Sequence, residues 1–378
     1  ILSILLLAGT LPAQAQMEEG ELPKIDFAVN LAQHAQYITL EDEDDPIAGF
    51  QRVRAGLNVS VQFSEHVSAL VMLEQEPNDF GFDTVTPAVD FAVLDVALTD
   101  HLTLRTGTPV TGLMNFRGYS DGPAVQGNPL IGNSPADMIT AGQGVKLIGS
   151  HDTFGFDLTV NRGFTGGLTR TDEGKTGVNR IGKIRYTVSD LLQIGAGVAT
   201  ATGTDPLVFA RGDGDNYDLN DAAIDANGNP SGTRLVHAQM PNETIVHADA
   251  KVTAAGADVD LWGGYATESD GYGPDNDYQA LFGGLGLRYS LTDDVYGAGR
   301  LTYVGDQSDA VDDFDETSIV RIQLGIGYEI YEKALLKVEY VNQSETGLTP
   351  AVQSPKGTAL AGIGQNWQGV TTELSFNF

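Results

Sequence analysis

Basic side chains fall at alternate positions in several runs of the sequence that otherwise alternate between apolar and polar residues. Successive side chains of a β-strand point to opposite faces, so a strand with Val53 and Leu57 on one face turns Arg54 to the other. Ammonium and guanidinium groups gathered on one polar surface raise the local concentration of anions. The basic residues that we expect on this surface are Arg52, Arg54, Arg105, Lys146, Lys183, Arg185, Lys251, Arg288, Arg300, Arg321 and Lys337.

Acidic side chains share the same surface, so its charge is mixed with a slight basic bias. The acids are Asp26, Asp157, Asp249, Asp258, Asp260, Glu339 and Glu373, and His247 lies two positions from one of them. The whole chain carries a net charge of −30, which argues against nucleic acid as a partner because a polyphosphate would be repelled. Most of that charge lies in loops such as 41–45 and 312–316.

One acidic loop, at 212–232, has a composition suited to calcium. Its closely spaced carboxylates, Asn oxygens and turn glycines are the hard oxygen ligands that Ca²⁺ prefers. The first candidate ligands are Asp213, Asp215, Asp218 and Asp221, followed by Asp225 and Asn227. No complete EF-hand spacing is present, so a solvated acidic loop that binds no metal stays open as the alternative.

Catalytic motifs are lacking, and we expect no enzymatic activity. The sequence holds no G-x-S-x-G, Walker or H-E-x-x-H pattern and no cysteine, which excludes cysteine nucleophiles, zinc-thiolate sites and a disulfide framework. His66, His101 and His151 fall in short turns, where solvated side chains are expected.

The runs that carry these residues predict an all-β protein with sixteen strands. Tight turns such as 64–66, 99–101, 150–152 and 292–294 alternate with longer connections, of which the longest is 202–243. Short turns on one side and long loops on the other are typical of transmembrane antiparallel β-barrels. We predict strands at 25–33, 51–63, 66–75, 89–98, 101–109, 143–150, 153–162, 177–188, 191–201, 244–253, 256–266, 278–290, 294–304, 318–330, 333–342 and 367–378.

Aromatic residues on the apolar face support a membrane barrel, because amphipathic rings form girdles at the two interfaces. Phe63, Phe154, Tyr186, Tyr289, Tyr328 and Phe378 are expected near the short turns, and Tyr265, Tyr303 and Tyr340 near the long loops. The apolar run before Ala13-Gln14-Ala15 has the pattern of a signal-peptidase site. We therefore expect 1–15 to be a partial signal peptide and 16–378 the exported barrel.

With its signal peptide, its alternating turns and loops and its terminal "LSFNF", the chain resembles the sixteen-stranded porins of the Gram-negative outer membrane. The resemblance implies a water-filled channel for passive diffusion of ions and small hydrophilic solutes. It also implies a homotrimer in contact with outer-membrane lipid and lipopolysaccharide. By the same resemblance, the barrel-assembly machinery would recognise Leu374, Phe376 and Phe378.

The connection at 108–143 stands where porins carry a loop that folds inward and narrows the channel, and it offers Arg117, Asp121 and Asp137. An ordinary external loop stays open as the alternative. Two other functions also stay open: a substrate-specific channel for phosphate or an organic acid, and a surface or adhesion protein whose barrel is an anchor for acidic loops.

Overall fold

The structure is a computed structural model, and eleven stretches or single residues of it are described. These are 22–41, 46–75, 88–109, 113, 115, 143–162, 178–202, 243–268, 278–307, 318–346 and 366–377. For a few residues within the strands only the backbone is described. Residues 1–15, predicted to be a signal peptide, lie outside them. Among the described residues, no helix is long and apolar enough to cross a membrane.

Sixteen antiparallel strands form one closed barrel, in which each strand pairs with its neighbours in sequence and β1 pairs with β16. Closure removes the exposed sheet edges that an open sheet would present. In chain order, β1 to β16 are Lys24–Leu40, Ile47–Ser64, Val67–Gln75, Ala88–Thr99, Leu102–Gly107, Gly144–His151, Phe154–Arg162, Val178–Ser189, Leu192–Thr202, Glu243–Ala254, Ala257–Glu268, Tyr278–Ser290, Val295–Asp306, Ser318–Tyr331, Ala334–Thr346 and Trp367–Asn377.

Side chains along the strands alternate between an apolar outer face and a more polar inner face. In β14, Ile322, Leu324 and Ile326 are exposed, whereas Arg321 and Gln323 are buried. In a membrane the exposed rows face lipid, and the closed ring of backbone hydrogen bonds satisfies the polar groups that lipid cannot. The alternation confirms the predicted all-β barrel with an apolar outer belt.

Two girdles of aromatic side chains flank this belt. Phe63, Phe154, Tyr186, Tyr289 and Tyr328 are exposed close to the short turns. At the other ends of the strands, Tyr303 and Tyr340 are exposed, and the Tyr265 hydroxyl donates a hydrogen bond to Gln279 Oε1 on the next strand. Phe378, the remaining predicted girdle residue, lies outside the described residues.

Irregular pairing occurs at several places in the ladder, and one of them resolves a conflict in the sequence. Asp90 and Asp95 lie on opposite faces of a regular strand, so the sequence alone leaves the faces of β4 ambiguous unless the strand carries a bulge. The register shifts where Met72 pairs with Phe91 and Leu73 pairs with Val89, leaving Asp90 as the extra residue. A second shift, between His34 and Ala35, was not foreseen.

Candidate functional site: the inner wall of the barrel

The inner wall holds the basic residues that the alternation singled out. Nine of the eleven have described side chains, and each alternates with residues of the outer apolar face. Arg52 and Arg54 belong to β2 and pair through their backbones with His34 and Ala32, but their side chains lie outside the described part of the structure.

One group of wall charges spans β4 and β5. The Arg105 guanidinium donates from Nε to Asp95 Oδ1 and from Nη2 to Asp95 Oδ2, both at 2.7 Å. The two residues face each other directly in the strand register. About a third of the Arg105 side chain and a quarter of the Asp95 side chain are exposed, so this ion pair is open to the water inside the barrel.

A second group surrounds Asp157 on β7. Lys146 Nζ lies 3.0 Å from Asp157 Oδ2 and Lys183 Nζ 3.6 Å from it, while Arg185 Nη1 is 3.5 Å from Oδ1. The side chains of Lys146 and Asp157 are almost fully buried, whereas Arg185 is 38% exposed. Arg185 also passes over Gly155, where an added Cβ would lie 2.6 Å from its Nε. Arg185 is therefore the cation of this group that meets water most.

A third group is buried on the inner face of β14 to β16. Lys337 Nζ donates to Glu373 Oε1 at 3.0 Å, and both side chains are almost fully buried. On neighbouring strands, Arg321 Nε donates to Gln343 Oε1 at 2.7 Å, and Gln323 Nε2 donates to Glu339 Oε1 at 2.8 Å. A buried charge without a partner is costly, so these contacts hold the wall together.

Three arginines of the wall lie over aromatic rings that also point inward. The Arg288 guanidinium carbon is 4.1 Å from the centre of the Tyr296 ring. The corresponding distances from Arg300 to Trp262 and from Arg321 to Trp367 are both 5.7 Å. These cation–π contacts join different strands, and alternation along a single strand does not predict them.

The long connection after β5 reaches the inner wall at two described residues. Asn115 donates its backbone N–H to Asp249 Oδ2 at 2.6 Å and its Nδ2 to Asp249 Oδ1 at 3.2 Å. Leu113 is fully buried. Arg117, Asp121 and Asp137, the residues named for this loop, lie outside the described part, so a constriction at their positions stays a prediction.

The remaining candidates are placed as follows. His247 is buried with Nδ1 3.8 Å from Asp249 Oδ2, and its ring stacks on Phe282. Leu374 and Phe376 alternate with the inward Glu373 and lie on the outer face of β16. The calcium candidates Asp213, Asp215, Asp218 and Asp221 fall outside the described residues. Within the described ranges, no group of three or more His, Cys, Asp or Glu residues could hold a metal ion.

No family model and no curated protein sequence matches this chain, whereas solved structures do. The trimer form of OmpT, an outer membrane protein of Vibrio cholerae, is similar with a TM-score of 0.61 at 13% identity, covering 95% of this chain and 100% of that chain. An anion-selective porin from Comamonas acidovorans has a TM-score of 0.60 at 12% identity, over 94% and 99% of the two chains. The outer membrane channel DcaP of Acinetobacter baumannii has a TM-score of 0.59 at 11% identity, over 94% and 97%.

At these identities the likeness concerns the fold, and it extends over nearly the whole of each chain. It agrees with the closed ring of sixteen antiparallel strands and with the apolar outer belt. The chain therefore has the sixteen-stranded barrel fold of the outer-membrane porins, as its sequence predicted.

Proposed function

We propose that the protein is a porin of the Gram-negative outer membrane, a water-filled channel through which ions and small hydrophilic solutes diffuse passively. The observation that carries this proposal is the pairing of a mainly apolar outer belt with an inner wall of charged side chains in one closed barrel. A barrel with this number of strands is wide enough to leave an aqueous passage. Its function requires no catalytic step.

Selectivity is set by the charges that meet the water. On the described wall these include Arg105 with Asp95, Arg185, and Lys251, whose Nζ is 3.9 Å from Asp258 Oδ2. The field of a charge is screened beyond about 8 Å at physiological salt, so we give the charges of the wall more weight than the acidic runs of the sequence. The resulting preference is weakly for anions, and one structural relative is an anion-selective porin.

A substrate-specific anion channel is the second candidate, favoured by Lys146, Lys183 and Arg185 around Asp157. Such a cluster on the path of phosphate or an organic acid would give saturable binding. An adhesion protein with a barrel anchor is the third candidate, and it gains support only if the barrel does not conduct.

We also propose a homotrimer embedded in lipid and lipopolysaccharide and inserted by the barrel-assembly machinery. One structural relative was solved in a trimer form. The apolar belt supplies the surface against which neighbouring subunits and lipid would pack.

Liposome swelling tests the channel function. Purified protein in liposomes should admit neutral sugars at a rate that falls steeply with sugar size, because entry is limited by the bore. Slowing by phosphate at saturating concentration would favour the specific anion channel. Liposomes that do not swell with any sugar would contradict diffusion and leave the anchor function.

A further inference from the structure

Two histidine side chains meet at the end of the barrel that carries the short turns. His101 lies in the turn between β4 and β5, and His151 is the last residue of β6. Their ring centres are 4.8 Å apart, and the ring planes are inclined by 55°. Both residues are exposed, and neither belongs to the groups of charges on the inner wall.

The strand ladder holds the two histidines together. Leu102 pairs with Gly149 where β5 meets β6, and Ser150 extends this ladder by donating its backbone N–H to His101 O at 3.0 Å. Because both histidines adjoin this ladder, their backbones are fixed relative to each other. Only side-chain rotation is needed for the two rings to reach a shared ligand.

The distance of 4.8 Å between the ring centres suits two imidazoles bound to one metal ion. With metal–nitrogen bonds of about 2.0–2.1 Å, and about 1.1 Å from the nitrogen to the ring centre, each centre lies about 3.2 Å from the ion. Two such rings, at angles between a right angle and the tetrahedral angle, have centres about 4.5–5.2 Å apart. Two exposed imidazoles remove little apolar surface from water, so packing alone gives them little reason to stay this close.

Asp152, in the turn that follows β6, orients one of the rings. Its Oδ2 is 3.2 Å from His151 Nδ1, and both side chains are mostly exposed. Histidines that bind metals commonly donate the other ring N–H to a carboxylate, which fixes the tautomer and the ring orientation. Donation from Nδ1 to Asp152 leaves a lone pair on His151 Nε2 for an ion.

The two imidazoles determine which class of ion fits. Imidazole nitrogen suits Cu²⁺, Ni²⁺ and Zn²⁺, whereas Ca²⁺ and Mg²⁺ prefer oxygen ligands. Two protein ligands are fewer than those of a typical zinc site, in agreement with the lack of a metal-holding group of three or more His, Cys, Asp or Glu in the described ranges. Water would complete the coordination, and Cu²⁺ should bind most tightly of the three ions.

We propose that His101 and His151 bind a divalent transition-metal ion that joins the β4–β5 turn to the β6–β7 turn, with Asp152 as a positioning residue. The strand that begins at the first of these turns, β5, has six residues and is the shortest of the sixteen described strands. An ion that binds the folded barrel more tightly than the unfolded chain stabilises the fold, and here it would do so beside this short strand. The site uses none of the wall charges, so it does not depend on the proposed channel function.

Calorimetric titration tests the site on the folded barrel in detergent, purified without a polyhistidine tag, stripped with EDTA and dialysed. The tightest Cu²⁺ site should hold one ion per chain. His101→Ala and His151→Ala should each weaken its affinity by more than about tenfold, since even the loss of an outer carboxylate partner costs about that much. The matched control is His66→Ala, which removes an exposed histidine from the turn between β2 and β3 and should keep the wild-type affinity. Wild-type affinity in either of the first two variants, or an equal loss in the control, would overturn the site.

Electron paramagnetic resonance of the bound Cu²⁺ separates the roles of the three residues. The wild-type spectrum should show coupling to two ring nitrogens, and each of the two alanine variants should lose one of them. Asp152→Asn should keep both nitrogens while the affinity falls by about tenfold, because the carboxylate orients His151 without binding the ion. A single nitrogen ligand in the wild type would rule out a shared ion, and an unchanged affinity for Asp152→Asn would contradict its positioning role.

Unfolding in urea tests the stabilisation, with Zn²⁺ as a probe that has no redox chemistry. Excess ZnCl₂ should raise the urea midpoint of the wild type and leave those of His101→Ala and His151→Ala unchanged. Without metal the three proteins should unfold alike, because both side chains are exposed, and this comparison shows that the variants are folded. A wild-type midpoint that Zn²⁺ does not raise, or an equal rise in all three proteins, would contradict a metal link between the two turns.

Discussion

Asp95 and Arg105 face each other across β4 and β5 as a two-pronged ion pair, with both N–O distances at 2.7 Å, and part of each side chain remains open to the interior. A pair in this position is nearly neutral to a passing ion. Substituting Arg105 with a neutral residue would therefore leave the negative charge of Asp95 in the channel. Substituting Asp95 would leave the positive charge of Arg105.

Neutralising Arg105 and neutralising Asp95 should shift the ion selectivity in opposite directions. Arg105→Gln leaves the Asp95 carboxylate facing the channel, so the reversal potential under a KCl gradient should move towards that of K⁺. Asp95→Asn uncovers the guanidinium and should move it towards that of Cl⁻. Arg105→Lys is the control, since it keeps the charge but loses the two-pronged geometry. Identical reversal potentials for all three variants would show that the pair lies off the ion path.

Lys337 and Glu373 should matter for stability. Both side chains are almost fully buried, and the two groups are 3.0 Å apart. Lys337→Met leaves a buried carboxylate without its partner, and we expect it to lower the free energy of unfolding by about 3–5 kcal/mol. Adding Glu373→Met should recover much of the loss, because a buried pair replaced by apolar side chains is often neutral.

The matched control for this pair is Lys251→Met, in which a third-exposed lysine 3.9 Å from Asp258 is removed. Exposed pairs contribute about 0–1 kcal/mol. Urea unfolding of the purified barrel in detergent measures all of these variants. A loss for Lys337→Met no larger than that of Lys251→Met would contradict the structural role of the buried pair.

Much of this architecture could be predicted. Side chains of a barrel strand alternate between the two faces of the sheet, and the connections between strands alternate between short turns and long loops. Strand β12 has its predicted bounds, and most of the others differ by one or two residues at either end. β1 was predicted at 25–33 but extends to Leu40, because pairing with β2 and β16 sustains a stretch in which Gln33 and His34 blur the apolar alternation. Pairing partners are properties of two strands, and a single run of sequence cannot reveal them.

The wall contacts were predictable only in part. Alternation assigned Asp249 and Lys337 to the interior, since that depends on their own strands. It could not reveal the contact between Asn115 and Asp249, which joins residues 134 positions apart. Only the three-dimensional arrangement shows that the Asn115 side chain lies against Gly195 of β9.

A charge placed on the outer belt should destabilise the barrel more than one placed on the inner wall. Leu324 lies midway along β14 and is 55% exposed, so Leu324→Arg faces the lipid core and should cost about 2–4 kcal/mol. Asn58→Arg adds the same side chain to the inner face of β2, where water solvates it. Folding into phospholipid vesicles across a urea series measures both. Equal costs for the two variants would mean that the faces are assigned wrongly.

The C-terminal strand should be needed for assembly. We expect deletion of Phe378, or Phe376→Ala, to reduce the amount of folded barrel in the outer membrane. The same variants should still refold in detergent, because recognition by the assembly machinery is bypassed there. Resistance of the barrel to SDS at room temperature reports folding in both settings. Normal outer-membrane levels for both variants would contradict an assembly role for these residues.

If the protein binds Ca²⁺ at the 212–232 loop, the aspartates of this loop should be required for the binding. Changing Asp213, Asp215, Asp218 and Asp221 to Asn should abolish heat of binding in calorimetric titrations with CaCl₂. Neutralising Asp312, Asp313, Asp315 and Glu316 removes a similar charge from another loop and is the control. A heat of binding that the first set of substitutions does not change would show that these aspartates are not Ca²⁺ ligands, and the loop would then be a solvated acidic loop.

The most direct test of the channel is the current through the purified protein in a planar bilayer, together with its reversal potential under a KCl gradient. The channel function predicts stepwise, sustained conductance, and we expect a reversal potential displaced slightly towards that of Cl⁻ because the partly exposed Arg185 of the inner wall carries positive charge. A bilayer that incorporates folded barrels and stays silent would contradict it.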